Sequence, residues 1–204
     1  DTLPQGTVIA DRYRIGDCLG RGGFGVVYDA EQFTPVTRRV AIKLIREGRG
    51  TDESRARFLT ERQSIATLDH PGIARLIDAG ELDNQDPFFV LEHVPGRPST
   101  AFARTERLGV RARVELIAQL CEAVEHAHAR GLIHRDITPA NVLVSLVDEK
   151  PRVKLIDFGI ACAQSRLAPL DAPDDTGRIL GTPAYMSPEQ ARSTPLGVDV
   201  RADV

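Results

Sequence analysis

His134-Arg135-Asp136-Ile137-Thr138-Pro139-Ala140-Asn141, followed further along by Asp157-Phe158-Gly159, is the stretch on which the reading of this chain turns. In chemical terms it supplies a carboxylate, an amide oxygen and a second carboxylate in fixed order. Asp136 is ionised at neutral pH, so it can orient a hydroxyl and accept its proton. Asn141 offers a neutral carbonyl oxygen and Asp157 a charged one, and oxygen donors of this kind suit a hard cation such as Mg²⁺. A base beside a hard-cation site is the equipment that phosphoryl transfer needs.

Working outward, Gly20-Arg21-Gly22-Gly23-Phe24-Gly25 lies between two runs of strand character and is followed by Val26-Val27-Tyr28. The spacing Gly20-x-Gly22-x-x-Gly25 alone also fits a dinucleotide fold, but there the glycines open a helix. Between two strands, a hairpin loop whose amides lie bare beside phosphates is the better reading. Lys43 ends the apolar run Val40-Ala41-Ile42, an unusual place for a surface lysine. His126 and His128 are two apart on an expected helix and so point in different directions, which argues against a shared metal.

Composition sets broad limits. The chain has 204 residues, 42% hydrophobic and 27% charged, with a formal net charge of -3, so no overall basic field argues for nucleic acid. Cys18, Cys121 and Cys162 are widely spaced without a Cys-x-x-Cys, which reads as reduced thiols in a cytoplasmic setting. No stretch has the apolar length of a membrane span, and Asp1-Thr2-Leu3-Pro4-Gln5-Gly6 lacks the features of a signal peptide. A start at Asp1 reads as a piece excised from a parent that can carry membrane-anchoring or sensor segments elsewhere.

The pattern predicts strands over Tyr13 to Leu19, Gly25 to Glu31 and Arg39 to Ile45. A helix is predicted over Thr51 to Leu68, where Phe58, Ile65 and Leu68 share a face with the carboxylate of Glu61, which then needs a cationic partner. His70-Pro71 ends it. Further strands are expected over Ile73 to Ala79 and Phe88 to His93, then a linker at Val94-Pro95-Gly96-Arg97-Pro98. Val114, Ile117, Leu120, Cys121 and Val124 mark an amphipathic helix over Arg111 to Ala129. Strand-like runs at Asn141 to Ser145 and Val153 to Ile156 suit a hairpin, and Ala163 to Arg178 reads as a loop.

In their order, the glycine loop, Val40-Ala41-Ile42-Lys43, His134 to Asn141, Asp157-Phe158-Gly159 and Gly181-Thr182-Pro183-Ala184-Tyr185-Met186-Ser187-Pro188-Glu189 resemble the eukaryotic-like protein kinases. The resemblance runs from about Tyr13 to Val204. The phrasing of Met186-Ser187-Pro188-Glu189-Gln190 and Asp136-Ile137-Thr138-Pro139 resembles the bacterial Ser/Thr kinases. It implies a two-lobed α+β fold. Residues 11–94 would form an antiparallel β-sheet lobe with one helix, and residues 95–204 a mainly helical lobe cut at the start of its central helix.

The implied activity is ATP- and Mg²⁺-dependent transfer of the γ-phosphate to Ser and Thr of protein substrates in bacterial signalling, with Mn²⁺ as an alternative metal. Charge and apolar run length lead to the expectation of no nucleic acid and no membrane partner within this span. The resemblance implies an ion pair of Lys43 with Glu61 and adenine packed on Val27, Ala41 and Leu143. Leu91 would lie at the back of that pocket, with the backbone of Glu92 to Val94 hydrogen-bonding the base. Gly20, Gly22 and Gly25 would cover the phosphates, and the hydroxyl of Thr182 would contact Asp136. His134 would be structural, stacked with Phe158, Ile65 and Leu76.

Arg135 would pair with a phosphate on the loop, with Ser165 and Thr176 as candidate sites of autophosphorylation within a kinase dimer. Thr138 stands where the pattern has a lysine, so the site lacks one cation. The resemblance also implies that Asp203 holds the backbone around His134 and Arg135 and that Glu189 pairs with an arginine beyond Val204, both anchors being cut by the end of the chain. That end and Thr138 favour the alternative, an inactive or scaffolding ATP-binding module.

Overall fold

The computed structural model describes residues 2–22, 25–45, 63, 65–84, 86–157, 182–192 and 198–204. They fall into two compact units: Asp1–Ala66 with Arg75–Val94, and Thr67–Ala74 with Pro95–Val204.

The first unit is an antiparallel sheet in the order β1-β2-β3-β4-β6-β5, from β1 (Val8–Ile9), β2 (Tyr13–Gly22), β3 (Gly25–Gln32), β4 (Arg38–Leu44), β5 (Leu76–Glu81) and β6 (Pro87–Glu92). Alternation along the strands sends successive side chains to opposite faces. Val26, Tyr28 and Ala30 of β3, Val40, Ile42 and Leu44 of β4, and Phe88 and Val90 of β6 accordingly join one buried cluster with Tyr13 and Ile15. Tyr13 is wholly buried, and its hydroxyl donates to Asp78 Oδ2 at 2.7 Å, tying β2 to β5. Burial, and then the Asp78 carboxylate, push this phenol up to about 12. At Gly25, φ is +127° and a Cβ would lie 1.9 Å from the Leu44 carbonyl oxygen, so only glycine fits where β3 starts against β4.

The second unit carries a sheet in the order β7-β8-β9, from β7 (Arg97–Pro98), β8 (Val142–Val147) and β9 (Lys150–Leu155). The expected linker thus contributes a short strand, Arg97 pairing with Val144. β8 and β9 form a hairpin closed by Asp148 and Glu149 at φ 49° and 61°, the left-handed pair that a tight two-residue turn requires. Helices α1 (Ser99–Thr105) and α2 (Val110–His128) complete the packing, with α3 (Pro188–Arg192) and the 3₁₀ turns Pro183–Tyr185 and Val200–Asp203 further along. Ile73 bridges Leu155, with Ala74 N donating to Leu155 O at 2.9 Å and Leu155 N to Gly72 O at 2.8 Å. Those bonds attach Thr67–Ala74 to this unit.

Helix α2 forms as its period suggests, and its buried face matches the expected stripe in part: Val124 is buried and Leu120 packs against the core. Leu116, Ala123, Val124 and Ala127 are buried, whereas Val114 and Ile117 are 61% and 58% exposed and Cys121 is exposed too. The helix packs on β9, and Leu116, Ala123, Val124 and Ala127 share one buried cluster with Val153 and Leu155. On the same helix, Gln119 donates from Nε2 to Pro151 O (3.3 Å) and accepts from Val153 N (3.1 Å), which satisfies the open edge of β9. Of the helix expected over Thr51 to Leu68, Gln63, Ile65 and Ala66 are helical, and Ile65 and Leu68 are buried. Glu61, Phe58, Phe158, Ser165, Thr176 and the loop Ala163 to Arg178 lie outside the described residues.

Candidate active site

In the first unit, strand register gathers most of the residues singled out for nucleotide binding. Gly20 and Lys43 both lie opposite Val27, Ala41 lies opposite Asp29 on one side and Leu91 on the other, and Lys43 lies opposite Phe89. Cross-strand partners share a face. Gly20, Val27, Ala41, Lys43 and Leu91 therefore occupy one face of the sheet, and the buried cluster lies on the other. Lys43 is 3% exposed. A Cβ at Gly20 or Gly22 would meet nothing within 4 Å among the described residues, unlike one at Gly25. Internal packing thus explains Gly25, whereas the backbone at Gly20 and Gly22 is bare among the described residues. Glu92 N donates to Arg75 O at 2.9 Å, so its amide proton is committed within the sheet unit.

In the second unit, the segment after α2 is held by hydrogen bonds at nearly every residue. His134 is completely buried. Its Nδ1 accepts from Asp136 N at 3.2 Å, so the ring proton is on Nε2 and donates to Ile156 O at 3.0 Å. One neutral tautomer satisfies both bonds, and burial holds the imidazole below its usual range. A structural role follows from that geometry.

Desolvation, then the charges of Arg130 and His70, also lowers His126, whose ring lies 4.9 Å from that of His70. A histidine depressed in the folded state binds its proton only after unfolding, so its stabilising contribution is present above about pH 6.5 and is lost as pH falls below it. Thermal melts between pH 8 and 5 should show melting temperature falling on the acid side, and His134→Gln should flatten that fall. An equally steep decline in the variant would assign it to other groups.

Asp136 is gripped from several sides. Asn141 Nδ2 donates to Asp136 O at 2.8 Å and to Asp136 Oδ2 at 2.9 Å, and Thr182 Oγ1 lies 3.4 Å from Asp136 Oδ1. Asn141 N is bonded to Thr138 O at 3.0 Å, and Ile156 N to Asn141 O at 2.9 Å, which ties Asn141 to the residue immediately before Asp157. Because the amide nitrogen of Asn141 serves Asp136, its Oδ1 is the end left to face a cation. With the carboxylate of Asp157 this makes an oxygen pair that fits a hard divalent ion. Among the described residues no three His, Cys, Asp or Glu side chains gather as a metal cluster. Thr138 is buried, and Leu143 is half-buried on β8.

Arg135 and Asp157 take left-handed backbone, φ +67° and +62°, an arrangement that costs about 1–3 kcal/mol per residue and persists only where neighbours over-determine it. At Arg135 one of those neighbours is Asp203. Its side chain is fully buried and accepts from His134 N at 2.7 Å, Arg135 N at 2.7 Å and His128 Nε2 at 2.8 Å. The expectation that the end of the chain cuts this anchor is therefore corrected: the carboxylate is present and engaged, the 3₁₀ turn Val200–Asp203 being enough to present it. Gln190, which sequence reading noticed only as part of a phrase, donates from Nε2 to Arg135 O at 2.8 Å.

Residues 13–204 match the family model described as the protein kinase domain. This chain belongs to the protein kinase family. The kinase domain is 37% identical over 201 residues to the Ser/Thr-protein kinase PknB of Mycobacterium leprae, covering 96% of this chain and 31% of the relative. It is 38% identical over 201 residues to a probable Ser/Thr-protein kinase of Streptomyces coelicolor, covering 96% and 29%. The chain thus spans about a third of the length of the curated relatives it matches. A double mutant of the PknI kinase domain of Mycobacterium tuberculosis superposes with a TM-score of 0.73 at 29% identity, covering all of this chain and 72% of that one. The kinase domain therefore has the protein kinase fold of bacterial eukaryotic-like Ser/Thr kinases, a family that uses ATP and a divalent metal. Among the described residues no helix is long and apolar enough to cross a membrane.

Proposed function

We propose that this domain transfers the γ-phosphate of ATP to Ser and Thr hydroxyls of proteins in bacterial signalling, acting in the cytoplasm. The observation that carries the reading is Asp136, a carboxylate with one oxygen bonded to Asn141 and the other facing Thr182. So held, it orients a substrate hydroxyl and takes its proton. Mg²⁺, with Mn²⁺ as the alternative, supplies neutralisation of the phosphate charge when bound. Asn141 Oδ1 and the Asp157 carboxylate would hold it.

Lys43 neutralises the α and β phosphates, steadied by Glu61, while the amides around Gly20 and Gly22 cover them. Val27 and Ala41 pack on adenine, Leu91 closes the pocket behind it, and the backbone of Glu92 and Val94 bonds its edge. A phosphate placed on Ser165 or Thr176 by a second copy would pair with Arg135.

The expected result for Lys43→Met is a loss of phosphotransfer on the order of 10²- to 10³-fold with Mg·ATP and a generic protein substrate. Equal turnover and equal nucleotide affinity would remove Lys43 from the site. Thr138, buried and uncharged, is the observation that favours a nucleotide-binding module without catalysis. Saturable ATP binding with no transfer by the parent protein would select that second reading.

A further inference from the structure

The side chain of Gln190 joins the start of α3 to the peptide that presents Asp136. Its Oε1 accepts from Ser187 N at 3.0 Å, and its own N–H approaches Ser187 Oγ at 3.4 Å. Ser187-Pro188-Glu189-Gln190 is thus a capping box, with proline at the first helical position. A capping box needs only an acceptor at its fourth residue, and glutamate serves there as well as glutamine. Gln190 does more, because its Nε2 donates to Arg135 O at 2.8 Å across 55 residues of chain.

That carbonyl belongs to the peptide unit whose N–H is on Asp136, and the N–H donates to His134 Nδ1 at 3.2 Å. The unit is therefore held at both poles, by Gln190 on oxygen and by His134 on nitrogen. Arg135 N is held in turn by Asp203 Oδ1 at 2.7 Å, and Arg135 has φ +67°. A left-handed residue next to the base relaxes if its carbonyl is released, and the carboxylate of Asp136 then swings with the peptide plane.

We infer that Gln190 is a positioning residue for Asp136, coupling the segment Thr182 to Glu189 to the base through the Arg135 carbonyl. This rests on the kinase reading above. The coupling needs a donor at position 190, and that requirement separates it from helix capping.

The deciding variant is Gln190→Glu, which keeps the capping acceptor but at neutral pH cannot donate and sets a carboxylate against a carbonyl. Its kcat on a peptide should fall about tenfold at pH 8, the scale of one lost hydrogen bond, with KM for ATP within twofold and melting temperature lowered by only a few degrees. The deficit should narrow as pH is lowered from 8 towards 5, where a protonated carboxyl can donate again. Hydrogen exchange of the amides of residues 134–137 should quicken in the same variant, whether or not phosphate is transferred. Turnover within twofold of the parent at pH 8, or unchanged exchange at those amides, would overturn the inference and leave Gln190 as a cap. If the parent transfers no phosphate, the kinase reading falls while the exchange measurement still decides the coupling.

Discussion

Asp136→Asn lowers kcat by about 10²- to 10⁴-fold, the range associated with loss of a positioned base. The substitution is nearly isosteric. An asparagine oxygen can still accept from Asn141 Nδ2, which now lies 2.9 Å from Asp136 Oδ2, and the backbone bond from Asn141 to residue 136 is untouched. Melting temperature and ATP affinity should therefore hold while turnover collapses, because an amide can orient a hydroxyl but cannot take up its proton. Steady-state peptide phosphorylation alongside calorimetric ATP binding separates the two quantities. A variant that turns over within threefold of the parent would show that the proton leaves by another route.

Asp203→Ala should cost the second unit a large share of its stability. The buried carboxylate accepts from two backbone N–H groups and from His128, and alanine offers them nothing. Each buried donor left unsatisfied costs about 1–3 kcal/mol, so roughly 2–6 kcal/mol is at stake for the two amides. Against a typical domain stability of about 5–15 kcal/mol, that corresponds to a fall in melting temperature on the order of 10 °C. Asp203→Asn keeps one acceptor oxygen and should fall between parent and alanine variant. The ordering matters, since equal losses in both variants would point to packing rather than to hydrogen bonding. Unchanged melting in Asp203→Ala would mean that the left-handed backbone at Arg135 is held without it.

The chemistry of the candidate site was legible in the chain because it depends on residue type and order. Asp136, Asn141 and Asp157 are a base, an amide and a carboxylate wherever they are placed, and Val40-Ala41-Ile42-Lys43 alternates as a strand whatever it packs on. Strand register then put Gly20, Val27, Ala41, Lys43 and Leu91 on one face, a result the period of two already implies.

Tertiary structure decided matters that depend on partners distant in sequence. A helical period says that α2 has a buried face but not which one. Contact with β9 selected Leu116, Ala123, Val124 and Ala127 and left Val114 and Ile117 open. Backbone bonds to Leu155 and from it placed Thr67–Ala74 with the second unit rather than with the segments that flank it in sequence. Gln190 lies 55 positions from Arg135, and no local pattern shows that its side chain closes on that carbonyl; the hold of Asp203, 68 positions away, followed from family resemblance and not from any local pattern. Propensity and periodicity are properties of neighbours in sequence, whereas the acceptor that a strained amide needs comes from whichever side chain the folded chain brings within hydrogen-bond reach.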